Sequence, residues 1–454
     1  MCNVVRVEHM MPKYESMSRE QIIELQFRKF KVEIQGAWKN SPFYKKKFSE
    51  MGFEPGDIKK FDDIIKVPKT TKAELVKDVE EHPPYGSRSS RPTSEIVCTV
   101  ETSGTTGRGK EVHILGTEEM RNVILAEKYG FFFAGARKGT VFLLGLPVTM
   151  ASAGYWWTLA LYELQVNCLR IFEATTEDRL RYMSQFGMEM LVSNPSYLKR
   201  MEYLLTSVGI NIRKQFPSLK SIILSGEPWT TEWARESEEK WGAKLYEQWG
   251  CTQRGFGWTC EYGAIPGGKR GILHFIPQFA LCEVINRDTG KPASHGEEGE
   301  LVVTPFGSGA FPLIRFSTND KARFLSSDYC PCGRPFDGVE CGTISRYDDM
   351  MKVKGVNFWP ATADEVVFRH GEISEYRGEV YMTEDAREKT VVEIEFRGAV
   401  EDKQSILSNL AQELRSKIGI GFEVREWVGE PLSTIVFQPK TGKVKRWTDK
   451  RLGR

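Results

Sequence analysis

The sequence predicts an α/β protein. A large N-terminal domain of α/β sheets carries an added β region, and a small α+β domain follows it. Three observations carry this reading. The chain has 454 residues, beyond the size at which one hydrophobic core keeps growing. From about residue 95, short β-like runs alternate with helix-like stretches. After Asp348 a second, shorter alternation begins. Apolar residues make up 40% of the chain and aromatic residues 11%, which excludes a largely disordered protein.

In chain order, Ser18-Arg19-Glu20-Gln21 reads as a capping box. Behind it Ile23, Phe27, Phe30, Ile34 and Trp38 keep a helical spacing with one apolar face. Ser41-Pro42-Phe43-Tyr44 breaks that helix and starts anew. Residues 81–94, rich in Pro, Ser and Arg, read as a loop leading to the main body. Strands are expected at 95–102, 111–116, 140–147, 166–172, 189–194, 220–225 and 243–248. Helices are expected at 117–132, 196–207 and 230–241. From 272 to 325 the pattern turns to antiparallel β, with runs at 279–286, 299–306 and 311–316. The small domain offers helices near 361–369 and 402–417 and strands near 376–382, 390–397 and 422–428. The expected domains are therefore 1–347 and 348–454.

Lys plus Arg number 63 and Asp plus Glu 61, so the net charge of +2 excludes a global polycation for nucleic acid. No run of 18 apolar residues exists, and no membrane span is expected. The start, Met1-Cys2-Asn3-Val4-Val5-Arg6, has no apolar export core. Nine cysteines without such a signal read as reduced thiols or metal ligands. The expected location is the cytoplasm.

The most informative stretch is Thr102-Ser103-Gly104-Thr105-Thr106-Gly107-Arg108-Gly109-Lys110. Its glycines let backbone N–H groups crowd around an anion, and its hydroxyls and cations add donors and charge, as a polyphosphate requires. The string also fits G-x-x-x-x-G-K. However, Glu111 stands where a Walker A loop needs Ser or Thr, and a β-like run follows where a helix should open. The P-loop NTPase reading is rejected; a Gly/Thr-rich hairpin turn is the bland alternative.

T-S-G-T-T-G resembles the phosphate loop of the adenylate-forming superfamily of acyl-CoA synthetases, adenylation domains and luciferases. Over nearly its whole length the chain resembles the phenylacetate–CoA ligase branch. The motifs are Asn40-Ser41-Pro42-Phe43-Tyr44, Val67-Pro68-Lys69-Thr70-Thr71-Lys72, Asn194-Pro195-Ser196-Tyr197, Ser225-Gly226-Glu227-Pro228-Trp229 and Tyr246-Glu247-Gln248-Trp249-Gly250. Arg315-Phe316-Ser317-Thr318-Asn319-Asp320, Ser345-Arg346-Tyr347-Asp348-Asp349-Met350, Gly355-Val356-Asn357 and Thr441-Gly442-Lys443-Val444-Lys445-Arg446 complete the series.

This resemblance implies an adenylate-forming fold. It also implies an enzyme that activates a carboxylate with ATP and Mg2+, releases pyrophosphate and passes the acyl group to coenzyme A. Asp320 would accept hydrogen bonds from the ribose hydroxyls, and Arg346 would lie near ribose and phosphate. Gly226, Glu227 and Pro228 would flank the adenine. Lys443 would stabilise charge during transfer, with Lys440 and Lys445 as competitors. Asp348 would be the hinge about which the small domain rotates between half-reactions. Gly355-Val356-Asn357 would then approach the thiol donor.

The chain also departs from the pattern. Trp249-Gly250-Cys251-Thr252-Gln253 stands where the family usually has Y-G-x-[ST]-E, whose glutamate helps hold Mg2+. Gln253 keeps an oxygen ligand but loses the charge. Trp249 replaces a tyrosine. Asn319 replaces a glycine, and Asn tolerates the left-handed backbone. The resembling branch also has cysteines and a histidine near the positions of Cys260, His274, Cys330 and Cys332. Together these would complete a tetrahedral structural zinc site. Four unliganded side chains are the competing reading, with Cys341 a substitute ligand.

Phe131, Phe132, Phe133, Tyr155, Trp156, Trp157 and Trp249 read either as an apolar pocket for an aromatic acid or as core. The preference for an aryl or aryl-acetic acid rests on the resemblance. The leading expectation is an AMP-forming acid–thiol ligase making a CoA thioester, with a homodimer as a further expectation. The alternatives are an adenylating enzyme with another acceptor and a non-catalytic nucleotide-binding relative.

Overall fold

The computed structural model describes residues 8–89, 91–102, 111–146, 148, 150, 152–172, 174–308, 311–354, 356–383, 387–438 and 443–452. The side chains of Ser196, Asp348, Lys352, Asn357, Gln438, Lys443 and Leu452 also fall outside the description. The chain divides into two compact units, Met1–Ile344 and Ser345–Arg454.

In the first unit a helix at Arg19–Asn40 starts at Ser18. The Ser18 N–H donates to Gln21 Oε1 at 2.8 Å, and the Gln21 N–H donates to Ser18 Oγ at 3.3 Å. Its apolar face buries Phe30, Ile34 and Ala37 against Tyr44 and Phe48 of the next helix, Pro42–Glu50. Leu281, Phe306 and Ile314 close the same core from the β region.

β1 (Cys98–Glu101) and β2 (Val112–Leu115) pair antiparallel, and the glycine-rich residues fall between them in the chain. The main sheet begins with β3 (Val141–Leu144), β4 (Asn167–Arg170), β5 (Met190–Ser193), β6 (Ser221–Ser225) and β7 (Lys244–Gly250). These run parallel in the order β4-β3-β5-β6-β7. Beyond β7 the sheet turns antiparallel through β8 (Phe256–Thr259), β9 (Ile272–Phe275), β10 (Ala280–Ile285), β11 (Glu298–Pro305), β12 (Phe316–Leu325) and β13 (Gly338–Glu340). The order there is β8-β9-β13-β12-β11-β10.

Side chains alternate across a strand, so consecutive residues serve opposite faces. Leu143, Leu191, Ile222, Leu224 and Leu245 belong to one core. Their neighbours Phe142, Leu144, Met190, Ile223 and Tyr246 belong to the other. Both faces are covered, which is why these parallel strands read as continuous apolar runs rather than alternating ones.

The run expected at 311–316 is a correction. The strand begins only at Phe316 and continues to Leu325. Pro312 has no N–H for a ladder, and Arg315 sits at φ +45°, off the extended path.

The second unit pairs a four-stranded sheet with two longer helices and a short one at Leu432–Val436. The strand order is Glu423–Glu426, Glu388–Phe396, Ile373–Met382 and Trp447–Asp449, with only the central pair antiparallel. The longer helices are Pro360–Val367 and Lys403–Ile418, and they pack through Val366, Val367, Leu410 and Leu414. Gly378 lies flat under the Trp447 indole, where a Cβ would come within 2.5 Å of the ring.

Candidate active site

The ends of adjacent parallel strands gather the motif residues, the usual place for a site in such a sheet. β6 ends at Ser225, whose Oγ donates to Gln248 Oε1 at 2.9 Å. Gly226 then turns the chain at φ +84°, a conformation that favours glycine. Gln248 and Trp249 close β7 and are buried. Trp249 Nε1 donates to Asp320 Oδ2 at 3.0 Å, linking the end of β7 to the acidic residue of β12. Asp320 in turn donates its N–H to Thr318 Oγ1 at 3.0 Å. Between them Asn319 sits at φ +64°, the left-handed backbone that its side chain tolerates.

The turn after β7 carries Thr252 and Gln253. Thr252 Oγ1 lies 3.4 Å from Ser152 Oγ. Arg254, at φ +66°, closes the turn by donating its N–H to the Cys251 carbonyl at 2.9 Å. Its Nη2 donates to Ser308 Oγ at 2.7 Å. Gln253 is thereby held inward. Its Nε2 donates to Glu111 Oε2 at 2.5 Å and lies 3.3 Å from His113 Nε2. His113 Nε2 is 3.0 Å from the same Glu111 oxygen. The other oxygen of Glu111 pairs with Lys72 Nζ at 3.4 Å. Thr102 clamps the base of the hairpin: the Glu111 N–H donates to Thr102 Oγ1 at 3.1 Å.

Burial by itself would raise the Glu111 carboxyl, but the His113 contact, Gln253 and Lys72 bring it below the ordinary carboxylate value. Burial lowers His113, which is therefore neutral near pH 7. Sequence reading missed Glu111 and His113 as site residues. The available signal was their i, i+2 spacing, which puts both on one face of an extended segment.

Three motifs serve as scaffolding. Tyr44 Oη accepts the Ile314 N–H at 2.8 Å and lies 3.1 Å from Thr70 Oγ1. The Thr70 N–H donates to the Arg315 carbonyl and its own carbonyl accepts the Ser317 N–H, at 2.9 and 2.8 Å. The Arg315 guanidinium binds both oxygens of Glu283 at 2.9 Å and donates to the Ile65 and Val67 carbonyls. Residues 40–44, 67–72 and 315–320 thus fix the start of β12 and, through it, Asp320.

Ser103, Gly104, Thr105, Thr106, Gly107 and Lys110 lie outside the described residues, as do Gly355 and the side chains of Asp348, Asn357 and Lys443. In the second unit Arg346 ends the short strand Ser345–Arg346. Lys443–Val444 pairs with Phe437–Gln438 as a small hairpin. Arg446 anchors it: Nε donates to Glu375 Oε1 at 2.6 Å and Nη2 to Oε2 at 3.0 Å.

A second buried cluster lies elsewhere in the first unit. The ligand-type atoms of Cys260, His274, Cys330 and Cys332 all lie within 4.8 Å of one another. The loose spacing from Cys260 to His274 closes because β8 and β9 pair side by side, Trp258 opposite His274. His274 Nδ1 donates to the Phe336 carbonyl at 2.7 Å, so Nε2 faces the sulfurs, 3.6 Å from Cys332. Cys341 is not among the four and lies beside Glu247.

Among the aromatics, Phe131, Phe133, Trp156 and Trp157 are core. Trp249 belongs to the core on the other face. Phe132 is half-buried beneath the Arg137 guanidinium, and Tyr155 is exposed.

Known proteins match this arrangement. A family model described as AMP-binding enzyme matches residues 55–308. A phenylacetate-coenzyme A ligase of Thermus thermophilus is 26% identical over 97% of this chain and 99% of its own. One from Aromatoleum evansii is 26% identical over 96% of each. A solved 2-hydroxyisobutyryl-CoA ligase in its postadenylation state shares the fold with a TM-score of 0.85 at 20% identity, over 97% of this chain and 92% of that one. The matched model spans more than half of the chain, and the chain belongs to the AMP-binding enzyme family, within the adenylate-forming superfamily.

Proposed function

We propose that this enzyme is an AMP-forming acid–CoA ligase acting on an aromatic carboxylate. The observation that carries the reading is end-to-end coverage: relatives named phenylacetate-coenzyme A ligase match almost the full chain and almost their own full length, both units included. In the first half-reaction the substrate carboxylate attacks the α-phosphorus of ATP and pyrophosphate leaves. In the second, the CoA thiol attacks the acyl carbon and AMP leaves.

The chain's residues take roles consistent with this. Asp320, steadied by Trp249, accepts the ribose hydroxyls. Gly226, with Glu227 and Pro228, offers a flat backbone edge for adenine. Thr102 to Lys110 cradles the phosphates, and Arg346 adds charge near them. Lys443 meets the charge that builds between carboxylate and α-phosphate, and Asp348 is the hinge. Gln253 would offer its amide oxygen to Mg2+, and the ion would neutralise phosphate charge when bound. The four buried donors Cys260, His274, Cys330 and Cys332 suit structural zinc, with no position left open for chemistry.

The test separates the half-reactions. Lys443→Ala should abolish acyl-adenylate formation from phenylacetate and ATP, yet still convert supplied phenylacetyl-adenylate and CoA to thioester. Equal loss of both steps in a folded variant would contradict the two-state assignment.

A further inference from the structure

We propose that Glu111 is the positioning residue of Gln253, so that the two act as one split carboxamide–carboxylate unit toward the metal–nucleotide. This rests on the ligase reading above and concerns the side of the site that meets Mg2+ and phosphate.

Four observations point to it. Gln253 donates its amide nitrogen to Glu111 Oε2 at 2.5 Å, and both side chains are buried. An amide has one acceptor oxygen and one donor nitrogen. With Nε2 engaged by Glu111, and His113 3.3 Å away on the same side, Oε1 is left as the only end that can meet a cation. Glu111 is itself fixed on every side: His113 and Gln253 on one oxygen, Lys72 on the other, and Thr102 on its N–H. Finally, Glu111 directly follows, in the chain, the glycine-rich residues proposed above to take the phosphates, and it sits across the hairpin base from Thr102.

The pairing has two consequences. The site keeps one carboxylate, ion-paired to Lys72, although residue 253 is neutral. The charge also prevents the amide from flipping to present its N–H donors to a metal. A carboxylate at 253 would not improve this site by itself, because two carboxylates at this separation cannot both ionise.

The test is a charge swap, read by ATP binding to the full-length protein with Mg2+ and with EDTA, using calorimetry and no acid or CoA. Glu111→Gln should reduce the Mg2+-dependent gain in ATP affinity ~10-fold or more, the scale of one charge-assisted interaction. Gln253→Glu alone should give no gain over the parent. The double variant Glu111→Gln/Gln253→Glu keeps an amide–carboxylate hydrogen bond across the same pair. It should recover to within ~3-fold of the parent, since the coupling of neighbours is what a double-mutant cycle isolates. Melting temperatures without nucleotide report folding. If Glu111→Gln does not fold, the swap still decides: Mg2+ dependence retained supports the pairing, and its loss in a folded swap overturns it. Unchanged Mg2+ dependence in a folded Glu111→Gln also overturns it. A parent protein that binds no ATP would instead overturn the ligase reading, and the pairing's role with it.

Discussion

The first unit contains two buried polar clusters that differ in one respect. Cys260, His274, Cys330 and Cys332 face one another, and the second nitrogen of His274 is tied to a carbonyl. Glu111, His113 and Gln253 are equally buried but leave an amide oxygen without a partner among the described residues, and Glu111 directly follows the glycine-rich residues in the chain. A set of donors that completes itself holds a fold together, because nothing further can enter. A set that stops one contact short can take a ligand.

Opening the closed cluster should give the largest effect. With zinc held as proposed, Cys332→Ser should lose it and lower the melting temperature by more than ~10 °C, since structural zinc contributes folding free energy directly. Elemental analysis with calorimetry checks both. A parent that contains no zinc yet melts like the variant would remove the contrast.

At the open cluster's neighbour, Asp320→Ala should weaken ATP binding ~100-fold, the worth of about two hydrogen bonds to a charged acceptor. Its melting temperature should barely move. Unchanged affinity would place the ribose elsewhere.

A third comparison is between carboxyls. Glu111 is held below its ordinary value, whereas burial pushes Glu127 up to about 8 against the opposing pull of Trp157 and Trp258. Burial likewise pushes Glu247 up to about 8. The folded state therefore binds protons that the unfolded state has released. The contribution of these two carboxyls should be fully present below about pH 4.5, fall as pH rises from there to about 8, and level off above. Glu127→Gln should flatten part of that decline in urea unfolding measured across this range. An unaltered slope would contradict the protonated state of Glu127.

The smallest effect is expected for Trp249→Phe. It removes one hydrogen bond to Asp320 and should raise the KM for ATP only ~3- to 10-fold, with kcat little changed. A kcat loss without a KM change would assign Trp249 to the transition state rather than to nucleotide binding.

Much of this was legible in the sequence. The parallel strands announced themselves as apolar runs between helical stretches, and the capping box at Ser18 formed with Gln21. The cysteine and histidine set was readable as residue types, though only the pairing of β8 with β9 brings Cys260 near His274. Glu111 was hidden for a different reason. It was noticed as an obstacle to a Walker A loop, and its partner Gln253 is 142 positions away in the chain. Only the fold joins them. The strand expected at 311–316 failed because Arg315 turns aside to reach Glu283, a tertiary contact that propensity cannot foresee.

The most direct measurement of the central claim is pyrophosphate release from ATP and Mg2+ across a panel of aromatic and aliphatic acids, each with and without CoA. The account predicts release that depends on an aromatic acid and becomes sustained only with CoA, with a thioester in the product. Acid-dependent release that CoA leaves unchanged, or silence from protein that still binds ATP, would contradict it.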